Sequence, residues 1–332
     1  MRIRTAILGC GQFAHRHAQI LSRMKDEVEL VAFCDRQEAR AREYADLYSD
    51  GAGAVFTDQH ALFEGAQFDL VMICLPPFAH TDEVELAAER GIHLLIEKPI
   101  ALSSTQAWQM VRAAEKAGIK TQVGFMFRFG EAVEHLKNRI DSGEAGPLGL
   151  MSARYFCNSL HTPWWRDRSK SGGQLLEQVI HMFDLLRYLG GEVSSVYSRQ
   201  DNIFHREQAD YTIEDVSATV VNFRSGGLGV VYATNGAIPG KWINDYRVVT
   251  GRITADFKDA NHAVFHLTDQ EGIPEVTIDS ESDFRKKQIE DLLRAIRTGR
   301  DTRTPIREGA KTLDLVLAAT ESAESHREVL LG

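Results

Sequence analysis

The chain has 332 residues, 43% of them hydrophobic, which is enough for two domains or one large one with an ample core. Its 38 Lys and Arg against 47 Asp and Glu leave a net charge of −9, which offers no broad basic footprint for nucleic acid or an anionic membrane and favours a small-molecule partner. No apolar stretch reaches the roughly 18 residues of a membrane-crossing helix, and the apolar part of the opening MRIRTAILGC is too short for the core of a signal peptide, so a cytoplasmic protein is expected.

Residues 3–8 (IRTAIL) predict a first strand, followed by Gly9-Cys10-Gly11-Gln12-Phe13-Ala14 and a helix. This is G-x-G-x-x-A in the context that gives it meaning, after a strand and opening a helix. Gly9 permits the tight turn, Gly11 lets a pyrophosphate approach the backbone, and Ala14 allows close helix packing, with amide donors at the helix start facing the phosphates. The next predicted strand, 28–34 (VELVAFC), ends at Asp35, about 20 residues beyond the motif as a dinucleotide fingerprint requires. Its carboxylate would accept from ribose hydroxyls and repel a 2′-phosphate, which favours NAD, while the adjacent Arg36 would tolerate NADP.

Apolar runs then alternate with helical patterns: 68–75 (FDLVMICL), a helix after Pro77, a strand at 92–96, a helix from Ser103 or Ser104 to about Lys116, and a run at 120–125. That rhythm predicts a doubly wound parallel sheet, which binds ligands beyond the carboxyl ends of its strands. Leu75-Pro76-Pro77 and Glu97-Lys98-Pro99 both lie at such ends, so the two opposite charges closing LLIEKP face the cofactor crevice.

After Phe125 the rhythm changes. Hairpin-like runs at 215–232, with a Ser-Gly-Gly turn, at 246–257 and at 263–268 predict a mainly antiparallel sheet with helices at its start and end. The segment 173–191 (GQLLEQVIHMFDLLRYLGG) is apolar around most of a helix. Glu177, His181 and Asp184 stand at i, i+4 and i+7, a spacing that sets them on one helical face as the polar wall of a cavity. Upstream, 162–173 (TPWWRDRSKSGG) has the composition of a loop over a polar ligand. Cys10, Cys34, Cys74 and Cys157 lack paired metal-ligand spacing, and twelve histidines form no metal-type cluster, so reduced buried thiols and no metal site are expected.

Together these residues resemble the Gfo/Idh/MocA family, the oxidoreductases related to glucose-fructose oxidoreductase and inositol dehydrogenase. The resemblance spans almost the whole chain: the glycine motif, Asp35, Glu97-Lys98-Pro99, the GFMFRF stretch from Gly124, the Gly-rich approach to His181, and Ser322-Ala323 near the end. It implies a Rossmann domain at 1–124 and a substrate-binding and oligomerisation domain at 125–332, an α/β unit with an open, mainly antiparallel sheet, assembled as a homodimer or homotetramer. It also implies a cis peptide between Lys98 and Pro99.

The resemblance further implies that Lys98, Glu177 and His181 converge on the substrate beside the nicotinamide, although the family more commonly carries Asp where this chain has Glu177. The expected reaction is hydride transfer between NAD and a secondary alcohol of a sugar, sugar derivative or cyclic polyol. His181 moves the hydroxyl proton, Lys98 polarises the oxygen, and Glu177 orients the imidazole or binds a neighbouring hydroxyl. Gly9, Gly11, Gln12, Phe13, Asp35, Arg36, Leu75, Pro76, Glu97 and Lys98 are the expected cofactor contacts, with Trp165, Arg166 and Arg128 lining the nicotinamide and substrate cleft. Two other readings stay open from sequence: a glycoside hydrolase or lyase that oxidises its sugar transiently, and a non-catalytic NAD-binding regulator.

Overall fold

Short, β-branched and apolar strands separated by amphipathic helices build the first half of the chain, and the computed structural model, which describes residues 2–332, resolves them into a parallel sheet. Its strands are β1 (Ile3–Leu8), β2 (Val28–Cys34), β3 (Ala54–Phe56), β4 (Leu70–Ile73), β5 (His93–Ile96) and β6 (Thr121–Val123), in the order β3-β2-β1-β4-β5-β6. The order reverses at β1, and parallel pairing of Leu8 with Cys34 on one side and Ile73 on the other brings the three strand ends level. The glycine loop, Asp35 and Leu75-Pro76 therefore all leave the sheet at one edge, the edge where such sheets bind ligands. β4 and β5 are buried on both faces, which explains their unbroken apolar runs. β3 escaped the sequence reading because three residues carry no periodic signal.

The helix at Ser104–Ala117 starts where expected. Ser103 caps it by accepting from the Gln106 amide at 3.3 Å, and Gly118 closes it in the left-handed region at φ 68°.

The chain divides into two compact units, and the division changes one expectation. The first runs through Gly124 and also includes Arg285–Ala310; the second comprises Phe125–Phe284 and Lys311–Gly332. The sequence-based boundaries placed 285–310 in the second domain. Ile289, Leu292 and Leu293, on one face of the Phe284–Thr298 helix, instead join the core formed by Ile3, Ile7, Leu21, Phe33 and Leu70. The return segment also closes on β6: Gln288 Nε2 and Thr304 Oγ1 both donate to the Val123 carbonyl, at 2.8 and 2.9 Å.

In the second unit, β7 (Leu148–Phe156), β8 (Val193–Asp201), β9 (Val216–Phe223), β10 (Leu228–Thr234), β11 (Tyr246–Thr250), β12 (Ile253–Phe257), β13 (His262–Leu267), β14 (Glu275–Asp279) and β15 (Val329–Leu330) form an open sheet among the described residues. Its order is β14-β13-β12-β11-β7-β10-β9-β8-β15. All neighbours pair antiparallel except β7 and β10. The predicted Ser225-Gly226-Gly227 turn joins β9 to β10, with Gly226 and Gly227 at φ 89° and 86°. Residues of β9 alternate strictly between a buried and a more exposed face, as a half-covered sheet requires.

Candidate functional site

In the first unit the site begins with the turn after β1. Gly9 has φ 90°, and a Cβ there would stand 2.6 Å from the Cys74 carbonyl oxygen, so only glycine lets β1 turn so close to β4. A Cβ on Gly11 would meet nothing within 4 Å, which leaves the face of the loop open to a ligand. Gly11 caps the Gln12–Arg23 helix without a side-chain hydrogen bond, and the first turn contains no acidic residue, so its amides and positive dipole end are not neutralised locally. Gln12 and Phe13 are exposed on that turn, and the Tyr44 hydroxyl fixes the loop by donating to the Gly11 carbonyl at 2.6 Å. These features fit a dinucleotide pyrophosphate.

Asp35 ends β2 with both carboxylate oxygens tied to backbone: Oδ2 accepts from Cys10 N at 3.0 Å and Oδ1 from Gln37 N at 2.9 Å. This locks the acidic side chain against the glycine loop, with lone pairs remaining for ribose hydroxyls. Arg36 is exposed beside it, while Leu75 abuts Gly9 and Pro76 follows.

The charges of LLIEKP now have an arrangement. The Lys98–Pro99 peptide is cis, as expected. Glu97 is largely buried at the end of β5, where it accepts from His17 Nε2 at 2.7 Å and from the Lys98 amide at 3.2 Å. Burial alone would raise its pKa, but the His17 bond and charge, with Lys98, hold it below the usual carboxylate value. A Cβ on Gly124 would collide with this carboxylate at 2.5 Å. Glu97 thus fastens the turn to the helix of the glycine loop, and Lys98 Nζ lies 5.8 Å from the centroid of the Phe13 ring on that same helix. His17 was not singled out in the sequence; a histidine on the inward face of that helix was its only signal.

In the second unit the 162–173 stretch forms two short helical turns, Pro163–Arg166 and Arg168–Ser171, followed by Gly173 at φ 112°. Trp165 is buried on Tyr211 and Ile213, and its indole N–H donates to Glu177 Oε2. Two candidates from the same reading are engaged elsewhere. Arg166 pairs with Asp210 at 2.6 Å, and Arg128, 3% exposed, donates from Nε and Nη2 to both oxygens of Asp184 at 2.9 and 2.7 Å.

Of the polar stripe expected from Glu177, His181 and Asp184, the last member is taken up elsewhere. Leu175–Val179 is a single π-helical turn, and the regular α-helix runs only over Ile180–Gly190, so Glu177 and His181 stand on two kinds of helical turn rather than one. Asp184 is buried in its pair with Arg128 and forms no cavity wall. His181 sits at the start of the α-helix against the rings of Phe127 and Phe125, at 5.0 and 6.4 Å between centroids. Among the described residues there is no cluster of metal-ligating side chains, and the four cysteines are free, with burial raising the thiol of Cys34 to about 12 and that of Cys157 to about 11.

Comparison with known proteins gives this arrangement its setting. Residues 3–125 match an oxidoreductase family described by its NAD-binding Rossmann fold, and residues 133–254 match the GFO/IDH/MocA C-terminal domain. The chain is 27% identical over 339 residues to myo-inositol 2-dehydrogenase of Thermotoga maritima, covering 99% of this chain and 98% of that one. It is 31% identical over 235 residues to scyllo-inositol 2-dehydrogenase (NAD(+)) of Bacillus subtilis, covering 70% and 67% of the two chains. Among solved structures, levoglucosan dehydrogenase in complex with NADH and levoglucosan shares the fold, with a TM-score of 0.89 at 20% identity over 99% of each chain. The chain belongs to the Gfo/Idh/MocA family of NAD-binding oxidoreductases.

Proposed function

We propose that this protein is an NAD-dependent dehydrogenase that oxidises, reversibly, a secondary alcohol of a sugar, sugar derivative or cyclic polyol. The observation that carries the reading is the Glu97–His17 bond, which seats Lys98 on the same rigid piece as the glycine loop suited to the cofactor. When bound, NAD supplies the hydride acceptor. Lys98 donates a hydrogen bond to the reacting oxygen and stabilises its developing negative charge, and His181 takes the hydroxyl proton. Glu177, held by the Trp165 indole, binds a hydroxyl beside the reacting one or orients the imidazole. The names of the two inositol dehydrogenases to which the chain is similar support the substrate class. A panel of polyols and sugars with NAD, monitored for reduced nicotinamide, is the test. Stoichiometric NADH from a neutral polyol is expected, and its absence across the panel would overturn the reading.

NAD is the preferred cofactor through Asp35, whose carboxylate is fixed beside the loop. Asp35→Ser should weaken discrimination against NADP by removing repulsion of the 2′-phosphate. Wild-type specificity constants at least tenfold in favour of NADP would contradict this.

The enzyme acts in the cytoplasm with its thiols reduced, and as a homodimer or homotetramer. Support for assembly comes from the outward face of the second sheet, where Leu150, Tyr197, Val220, Leu228 and Tyr232 stand on neighbouring strands, each at least 38% exposed. Light scattering at micromolar concentration should give a dimer or tetramer mass, and a monomer mass would refute it.

A further inference from the structure

Beside Glu177 the second unit carries a polar cluster that proton and hydride transfer leave without a role. Cys157, just past β7, is buried and donates its thiol proton to Asn235 Oδ1 at 3.0 Å. The same oxygen accepts from Gln174 Nε2 at 2.8 Å, and Asn235 Nδ2 donates to Tyr211 Oη at 2.9 Å. With its proton committed to Asn235, the sulfur is an acceptor toward Gln178 Nε2 at 3.8 Å. With the amide nitrogen of Gln178 turned to this sulfur, Nε2 also donates to His161 Nε2 at 2.8 Å, and that ring nitrogen lies 3.9 Å from the same sulfur, whose proton is already given to Asn235. An imidazole that accepts at Nε2 carries its proton on Nδ1, and Nδ1 has no hydrogen-bond partner among the described residues.

The ring is held with unusual care. His161 occupies the left-handed region at φ 53°, uncommon for a residue with a side chain although histidine visits it more readily than most. Burial pulls its pKa down to about 4, against the opposing influence of the Glu177 carboxylate, so the ring is neutral at neutral pH. Trp165 and Trp242 pack against it in tilted contacts, 4.1 and 5.4 Å between ring centroids, and Trp242, 55% exposed, meets Tyr155 edge-on at 6.1 Å. Trp165 in turn donates to Glu177. A fixed neutral donor, a carboxylate and aromatic faces side by side match a ring that is apolar on its face and hydroxylated at its edge.

We propose that His161 is a specificity-determining residue of the substrate site, donating Nδ1–H to a ring hydroxyl adjacent to the one held at Glu177 while Trp242 covers the apolar face of the same ring. This rests on the dehydrogenase reading above and extends it to how a neutral polyhydroxylated ring is told from its analogues.

The test uses the full-length enzyme, myo-inositol and D-glucose as first probes, and the monodeoxy analogues of whichever ring is oxidised. His161→Phe keeps the aromatic packing and deletes the donor. Its kcat/KM should fall about tenfold to a hundredfold on the parent ring yet stay at the wild-type value on the one analogue that lacks the hydroxyl read by His161. His161→Asn, which restores an N–H donor, should recover part of the loss, and NAD affinity should be unchanged in both. No fall, or an equal fall on the parent and every analogue, overturns the role of His161 while leaving the enzyme a dehydrogenase. Oxidation of no neutral ring by the wild type overturns the dehydrogenase reading and this inference with it.

Discussion

Lys98→Ala and His181→Ala are each expected to cut single-turnover hydride transfer by roughly two orders of magnitude or more while leaving NAD binding largely intact. In the proposed mechanism the lysine variant removes the charge that stabilises the nascent alkoxide, and the histidine variant removes the proton acceptor. Because each group works poorly without the other, the double variant should lose less than the product of the single effects. Cofactor binding should survive the lysine change because Gly9, Gly11 and Asp35 are held by bonds that do not involve its side chain: Tyr44 on the Gly11 carbonyl, and the Cys10 and Gln37 amides on Asp35. Glu177→Gln grades the effect. It keeps an acceptor for the Trp165 indole and removes the charge, so the rate should fall with a shifted pH profile and an intact fold. Near-wild-type rates for both alanine variants on a confirmed substrate would move the chemistry elsewhere.

Asp184→Ala should destabilise the second unit by roughly 3–5 kcal/mol, because it takes the carboxylate from a buried guanidinium. Both side chains are at most 3% exposed, and the pair is bidentate. Around it, Thr312 Oγ1 approaches Asp184 Oδ1 at 3.4 Å and accepts from Arg187 Nη1 at 2.9 Å, while Arg128 also lies 4.7 Å from the centroid of the Tyr188 ring. Replacing both members by apolar residues of similar size, Arg128→Met with Asp184→Leu, should return much of the loss, since a paired buried charge owes its solvation cost to both partners. Three of the four tryptophans, Trp164, Trp165 and Trp242, lie in the second unit, so the midpoint of urea denaturation followed by tryptophan fluorescence reports the change. A single variant that unfolds at the wild-type midpoint would refute the assignment.

Function was more legible in the sequence than geometry. The glycine turn, Asp35 and Glu97-Lys98-Pro99 announce themselves because each needs a particular residue type at a fixed distance from a strand, and the structure places them at one sheet edge. What escaped depends on partners distant in sequence. His17 and Glu97 are 80 positions apart, and Arg128 and Asp184 are 56 apart, so neither side chain states which charge it will meet. Asp184 looked like part of a polar stripe because spacing cannot show that its carboxylate is taken by a guanidinium on another element. The Phe284–Thr298 helix returned to the first core for a similar reason: an amphipathic face says that something must be covered, without saying by what.

The π-helical turn at Leu175–Val179 sets the position of Glu177 independently of the helix that carries His181. Such a turn is equivalent to an α-helix carrying one inserted residue, and deleting that residue would rotate everything before it by roughly 100° about the axis. Glu177 would swing away from the Trp165 indole while His181, on the regular helix that follows, kept its place. Insertion and side-chain length are therefore two separate dials on where the carboxylate at position 177 stands, and either can be turned without disturbing the imidazole of His181 on the regular helix that follows.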